Sequence, residues 1–323
     1  MKIFKKKIVI IVIVIVVVLT GLGIGVGEYF VNYALSPSSN SDQRNVKDNI
    51  ELLEGDRKII ETNKVIEEDL GNEFEKTTQE TFIKSEDGLK LAGKYRLQEE
   101  SHQWVIAIHG YKGNNTGMMS YASRYFDKGY NVLLPNNRAH ENSEGDYIGM
   151  GWLDKDDIAK WVEWIVEQDD QAEIILHGVS MGGATVMMTS GYNLDHVIGY
   201  IEDCGYTSVW DIFASELDKR FSLPTFPILD ISNLIASLQA GYDFKDASSI
   251  TQVSQTKKPM LFIHGGKDDF VPTSMVYEVY EAATCKKDLY LVDAAGHGES
   301  KDYNPDAYWN QVFNFINEKI EKE

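Results

Sequence analysis

Leu176-His177-Gly178-Val179-Ser180-Met181-Gly182-Gly183-Ala184 is the stretch on which the reading of this 323-residue chain turns. Ahead of it, Glu173-Ile174-Ile175-Leu176 has the apolar, β-branched character of a buried strand, and the small residues after Ser180 suit a helix start. The spacing G-x-S-x-G alone is weak. Between a strand and a helix it describes a sharp turn that strains its serine, and the residues two before and two after must lack side chains or clash, hence Gly178 and Gly182. Ser180 then projects alone.

Working outward, short apolar runs at Trp104–Ile108, Asn131–Leu134, Val197–Ile201, Met260–Ile263 and Leu289–Val292 read as further buried strands. Helical patterns separate most of them, as in Asp154 to Glu167, where Ile158, Trp161, Val162 and Ile165 recur at helical spacing. Such alternation predicts an α/β fold with a mainly parallel sheet and helices on both faces. Upstream, Thr81–Ser85 and Leu89–Leu97 flank Glu86-Asp87-Gly88 as a hairpin that adds antiparallel strands at one edge. The alternation breaks over 208–257, where aromatic residues and prolines crowd together; this predicts a small helical cap that either lines a pocket or simply packs.

The N-terminus has a different character. Four lysines within Met1–Lys7 precede an apolar run from Ile8 to Val26 in which Thr20 is the only polar residue. At about 1.5 Å per residue, this run approaches the hydrocarbon thickness of a bilayer, too long for a secretory h-region. The expected organisation is a cytoplasmic tail at 1–7, a transmembrane anchor at 8–27, a tether and helical juxtamembrane segment at 28–75, and a catalytic domain at 76–323. Ser36–Gln43 is the tether, expected to set the domain off the membrane, and one or two helices are expected between Asn49 and Glu75. With the lysines inside, the domain lies outside the cytoplasm as a single-pass protein. Removing the four lysines from the formal charge of −19 leaves −23 on the exported part, which argues against nucleic acid or an anionic surface as partner. Two cysteines, Cys204 and Cys285, exclude a disulfide-rich scaffold and leave their pairing open.

A serine hydroxyl becomes a nucleophile when a base takes its proton and an acid orients that base. His297, in Gly296-His297-Gly298 beyond the last strand, is the expected base; His140 is its rival, and the other histidines sit at strand ends or in polar stretches. For the acid, Asp268 leads, placed after the strand Met260–Ile263, with Asp269 and Asp203 as alternatives. The oxyanion hole is assigned to two backbone amides: Met181, at a helix N-terminus directly after the serine, and Tyr111, in the His109-Gly110-Tyr111 turn after the first core strand.

With these residues assembled, the chain from about Thr81 to its end resembles the α/β-hydrolase superfamily. The motifs that carry the resemblance are His109-Gly110, Gly178-x-Ser180-x-Gly182, His264-Gly265-x-x-Asp268-x-x-Val271-Pro272 and Gly296-His297-Gly298, in the family's Ser-acid-His order. Arg138-Ala139-His140-Glu141-Asn142-Ser143 is similar to the R-x-H-G-x-S segment of the serine aminopeptidase-like and monoacylglycerol lipase-like branch, with Glu141 where that branch has glycine. That similarity gives His140 a structural role. The resemblance implies ester, thioester or amide hydrolysis with no metal and no organic cofactor, on a small-molecule ester, lipid or peptide. A carboxylic-ester hydrolase is the leading expectation. A peptidase or amidase of cell-surface material, with Glu216 or Asp218 meeting a free amine, and a non-catalytic binding module are the alternatives. A cation site is not expected, because no spaced ligand loop is present.

Overall fold

The computed structural model describes residues 2–39 and 54–320, with side chains from residue 7 onward. Residues 40–43 of the expected tether, residues 49–53 of the expected helical segment and the side chains of Lys2, Lys5 and Lys6 lie outside the described residues. Eight strands form one sheet: β1 (Gln79–Lys84), β2 (Lys90–Arg96), β3 (Gln103–Ile108), β4 (Asn131–Pro135), β5 (Glu173–Val179), β6 (Val197–Asp203), β7 (Met260–Gly265) and β8 (Lys287–Val292). Their order is β1-β2-β4-β3-β5-β6-β7-β8, antiparallel between β1, β2 and β4 and parallel from there on. The expected hairpin edge and parallel core are both present. After β3 the chain goes to one side for β4 and returns to the other for β5, so the carboxyl ends of β3 and β5 flank a switch point, where open α/β sheets place their sites.

The helices are α1 (Lys2–Leu35), α2 (Glu54–Glu75), α3 (Met119–Phe126), α4 (Asp154–Gln168), α5 (Met181–Ser190), α6 (Val209–Phe221), α7 (Thr225–Gln239), α8 (Ser249–Val253), α9 (Ser274–Ala282), α10 (Ser300–Tyr303) and α11 (Pro305–Phe315). Side chains alternate faces along a strand, and the sheet is buried on both sides. In β3, Trp104, Ile106 and Ile108 join one core with Ile158 and Trp161 of α4, while Val105 and Ala107 join the opposite core with Tyr125 of α3 and Trp309 of α11. The segment before β1 is one helix, α2, leaning on the domain through buried Ile60 and Phe74. Its buried Glu67 accepts from Arg124 at 2.6 Å and Lys301 at 3.2 Å, so its charge is not left unpaired.

Two boundaries differ from the sequence expectation. The apolar helix does not give way to a tether at residue 28: α1 continues to Leu35, and Val31 and Leu35 are buried in a third core with Ile212, Leu229 and Ile235 of the cap helices α6 and α7. The cause is steric, since Gly23 and Gly27 lack the side chains that would keep Ile231 and Ile235 of α7 away. The domain is therefore not set off from the helix. At the other boundary, the cap helices end at Gln239 and α8 belongs to the main core, where Val253 packs with Val186. A helix of five residues is too short to announce its face by periodicity.

Candidate active site

Gly178 and Gly182 meet the requirement that the sequence set for them. A Cβ on Gly178 would lie 2.1 Å from the Gly182 carbonyl oxygen, and one on Gly182 would lie 2.1 Å from that of Ile108. Between them Ser180 is held at φ 58° and ψ −118°, a region that L-residues rarely enter and that sites can store as strain. Its N–H donates to the Asp203 carbonyl at 2.8 Å, which ties the elbow to β6.

The structure brings Ser180, His297 and Asp268 together. Ser180 Oγ lies 2.8 Å from His297 Nε2, and His297 Nδ1 lies 2.7 Å from Asp268 Oδ2. The other Asp268 oxygen accepts the amides of Phe270 and Val271, both at 2.9 Å. Burial alone would raise this carboxyl, but the charges and hydrogen bonds of His297 and His264 hold it well below the usual carboxylate range, so it stays ionised.

The alternatives separate cleanly. Asp269 offers its backbone carbonyl to Lys219. Asp203 accepts the Tyr308 phenol at 2.9 Å, and burial, only partly offset by that bond, raises its carboxyl to about 6. His140 accepts the Lys112 amide at 3.0 Å and bonds the Arg138 carbonyl at 2.8 Å, so it braces the turn after β3, the structural role that the resemblance implied. Glu141, standing where glycine is usual in that branch, takes φ 47°; the left-handed backbone is kept despite the side chain.

The two residues expected to supply the oxyanion amides both border Ser180. Met181 is the first residue of α5, where an amide has no partner within its own helix. Tyr111 follows Gly110, where a Cβ would approach the Ser180 Cβ to 3.3 Å, in a turn closed by Gly113 N–H to Gly110 O at 3.1 Å. Met181 and Tyr111 also line a cavity of about 800 Å³, open mouth included, that starts at Ser180 and runs between α6, α7 and the end of α1. Its walls are mainly aromatic and aliphatic, among them Tyr33, Phe213, Leu217 and Phe221. The crowded segment after residue 208 thus lines a pocket as well as packing. Glu216 faces the cavity but pairs with Arg220 at 2.6 Å, and Arg220 also donates to the Tyr33 phenol at 2.9 Å.

Sequence reasoning missed two contributors. His264 was assigned to a strand end; it lies fully buried, 3.3 Å from Asp268 and 3.0 Å from the Val271 carbonyl, with its pKa lowered by burial but raised overall by Asp268 and Glu202. Its place in the H-G-x-x-D spacing was the available signal. The other is α1, whose Phe30, Tyr33 and Ala34 form part of the cavity wall; no local signal in the sequence marks it.

Among the described residues, the side chains that could gather around a metal are Cys204, Asp268 and His297, with ligand atoms within 4.8 Å of one another. Asp268 and His297 are already bonded to each other, and burial together with Asp203 and Asp268 pushes the Cys204 thiol up, away from the thiolate a metal needs. Cys204 and Cys285 are both free thiols.

A nucleophile-type elbow at the switch point of an eight-stranded sheet, under a helical cap, defines a hydrolase of the α/β-hydrolase fold. Residues 117–323 match the prolyl oligopeptidase family, and the chain belongs to it. It is 29% identical over 251 residues to the uncharacterized protein YqkD of Bacillus subtilis, covering 77% of this chain and 82% of that one. Among solved structures it is similar to the Pyrococcus furiosus esterase Pf2001, at 22% identity and a TM-score of 0.62 over 75% of this chain and 93% of that one. It is also similar to the acylaminoacyl peptidase of Pyrococcus horikoshii, at 19% identity and a TM-score of 0.57, over 75% of this chain and 41% of the peptidase.

Proposed function

We infer that this chain is a membrane-anchored serine esterase with Ser180 as nucleophile, His297 as base and Asp268 as orienting acid. Ser180 Oγ attacks the acyl carbon while its proton passes to His297 Nε2; Asp268 fixes the tautomer and stabilises the imidazolium. The amides of Met181 and Tyr111 receive the oxyanion, each such donor being worth about 3–4 kcal/mol in the transition state. Collapse breaks the acyl C–O bond and the alcohol leaves with the proton from Nε2. Water then gives a proton to His297 and attacks the acyl-enzyme, releasing the acid and restoring the serine.

The observation that favours an ester is the apolar cavity beginning at Ser180. An apolar acyl chain gains about 25 cal/mol per Å² buried there, whereas a peptide backbone brings polar groups with few partners. The family name and the likeness to a peptidase favour the second reading, a peptidase or amidase. For an aminopeptidase, Glu216 is the carboxylate facing the cavity, but its bond to Arg220 already commits it.

The anchor is α1, long and apolar enough to cross a membrane. The lysines before Ile8 favour a cytoplasmic start for this helix, with the hydrolase domain on the opposite side.

The test is hydrolysis by the detergent-solubilised full chain of p-nitrophenyl butyrate, octanoate and palmitate beside aminoacyl and N-acylaminoacyl p-nitroanilides. Turnover of esters at least a hundredfold faster than of anilides supports the esterase; the reverse preference supports the peptidase.

A further inference from the structure

α1 is built into the hydrolase by packing and by hydrogen bonds. Ile231 of α7 packs on Gly23 and Gly27, and Ile235 packs on Gly27. Gln239 donates to Glu28 at 2.6 Å, Arg220 to Tyr33 at 2.9 Å, Tyr111 to the Ala34 carbonyl at 2.7 Å, and the Ile148 amide to the Leu35 carbonyl at 2.8 Å. Glycines four apart let a second helix approach closely, a packing common between helices in membranes.

The register of this seam fixes a direction. Ile231 lies at Gly23 and Gly27, Ile235 at Gly27 and Gln239 at Glu28, so α7 runs the same way as α1 and its N-terminal end points towards the apolar run Ile8–Val26. Pro227 is one turn beyond Ile231, about 6 Å further along that direction. Phe226 precedes it and is 76% exposed. Leu234 and Leu238, three residues after Ile231 and Ile235, lie along one edge of the same helical face and are 61% and 79% exposed. Exposed apolar side chains of this size beside a membrane-crossing helix continue its lipid-facing surface.

We propose that α7 enters the same bilayer leaflet as the exported end of α1, and that the cavity between them takes the acyl chain of an ester dissolved in that bilayer. This rests on the esterase reading and adds the source of the substrate. The anchor helix is then also a wall of the acyl site: the chain passes from the leaflet beside Phe226 and Leu234 into the space lined by Tyr33 and Phe221, and its carbonyl reaches Ser180. Hydrolysis consumes one water and yields a fatty acid and the head-group alcohol.

Docking is read with Phe226→Cys, Leu234→Cys and Leu238→Cys placed singly in a full-length Cys285→Ser chain, each labelled with an NBD fluorophore and reconstituted in phosphatidylcholine vesicles. The expected result is a blue-shifted emission quenched by doxyl-labelled phosphatidylcholine at all three positions, with no quenching of a label at the exposed Glu163→Cys on α4. Substrate source is read with 4-methylumbelliferyl palmitate dissolved in the vesicles against 4-methylumbelliferyl butyrate in water. Leu234→Asp combined with Leu238→Asp is expected to lower the palmitate-to-butyrate rate ratio at least tenfold, with butyrate turnover reporting that the variant folds. Should the double variant instead lose butyrate turnover, quenching at the three cysteines alone decides docking, and palmitate-to-butyrate ratios of the folded single variants Leu234→Asp and Leu238→Asp decide the source. Unquenched labels, an unchanged ratio, or a double variant that changes only oligomeric state on cross-linking overturns the proposal. A wild-type chain that hydrolyses neither ester sinks the esterase reading, and quenching then still reports whether α7 docks.

Discussion

The phenol of Tyr111 donates a hydrogen bond to the carbonyl of Ala34 at 2.7 Å. One partner sits in the turn beside Ser180 and the other in the last turn of α1, so α1 and the loop assigned to the oxyanion are joined directly. Tyr111→Phe removes this bond and keeps the ring. One neutral hydrogen bond contributes about 0.5–1.5 kcal/mol, so kcat on a long-chain ester is expected to fall roughly two- to tenfold with little change in KM. An unchanged kcat would mean that the loop holds its position without the bond to α1.

Asp268 and Asp269 are adjacent in sequence, and only the first bonds His297. Asp268→Asn offers an amide in place of the carboxylate and favours the wrong imidazole tautomer, with a loss in kcat of about 10³–10⁴. Asp269→Asn is expected to stay within about threefold of the parent, because the bond to the imidazole comes from Asp268. Steady-state kinetics on p-nitrophenyl butyrate separates the two; equal losses would reopen the choice of acid.

Glu202 lies fully buried at the end of β6, accepting the Gly205 amide at 2.9 Å, and burial raises its carboxyl to about 8 despite the nearby His264. In the unfolded chain it titrates near 4.3. Between these values the folded state holds a proton that the unfolded state has lost, so Glu202 costs stability as pH rises through this window. Glu202→Gln removes that titration. Thermal unfolding of the wild-type domain is expected to fall from pH 5 to pH 8, and the variant to lose less over the same range, by on the order of 5 °C. Parallel curves would show that Glu202 is ionised in the folded protein.

How much of this was legible beforehand follows from the kind of signal each feature leaves. The strands were readable because residues buried on both faces are apolar without interruption, and the elbow because its glycines answer a clash of 2.1 Å with backbone. His297 and Asp268 were readable from the residues that bend the chain around them. The continuation of α1 was not, because Glu28 and Tyr29 end the apolar run and the sequence does not say that Ile231 and Ile235 fit over Gly23 and Gly27. A seam between residues some 200 apart leaves no local period. The same holds for His264, whose strand-end position is ordinary until Asp268 and Glu202 are seen around it.

The account stands or falls on Ser180 as nucleophile. The direct measurement is reaction of the full-length chain with a fluorophosphonate, with the modified residue located by mass spectrometry. The account predicts one phosphonylated residue, Ser180, and no labelling of Ser180→Ala or, beyond about one part in a thousand in rate, of His297→Ala. A folded wild-type chain that stays unlabelled would contradict it and leave the hydrolase fold as a binding module; one that labels elsewhere would contradict it by pointing to another nucleophile.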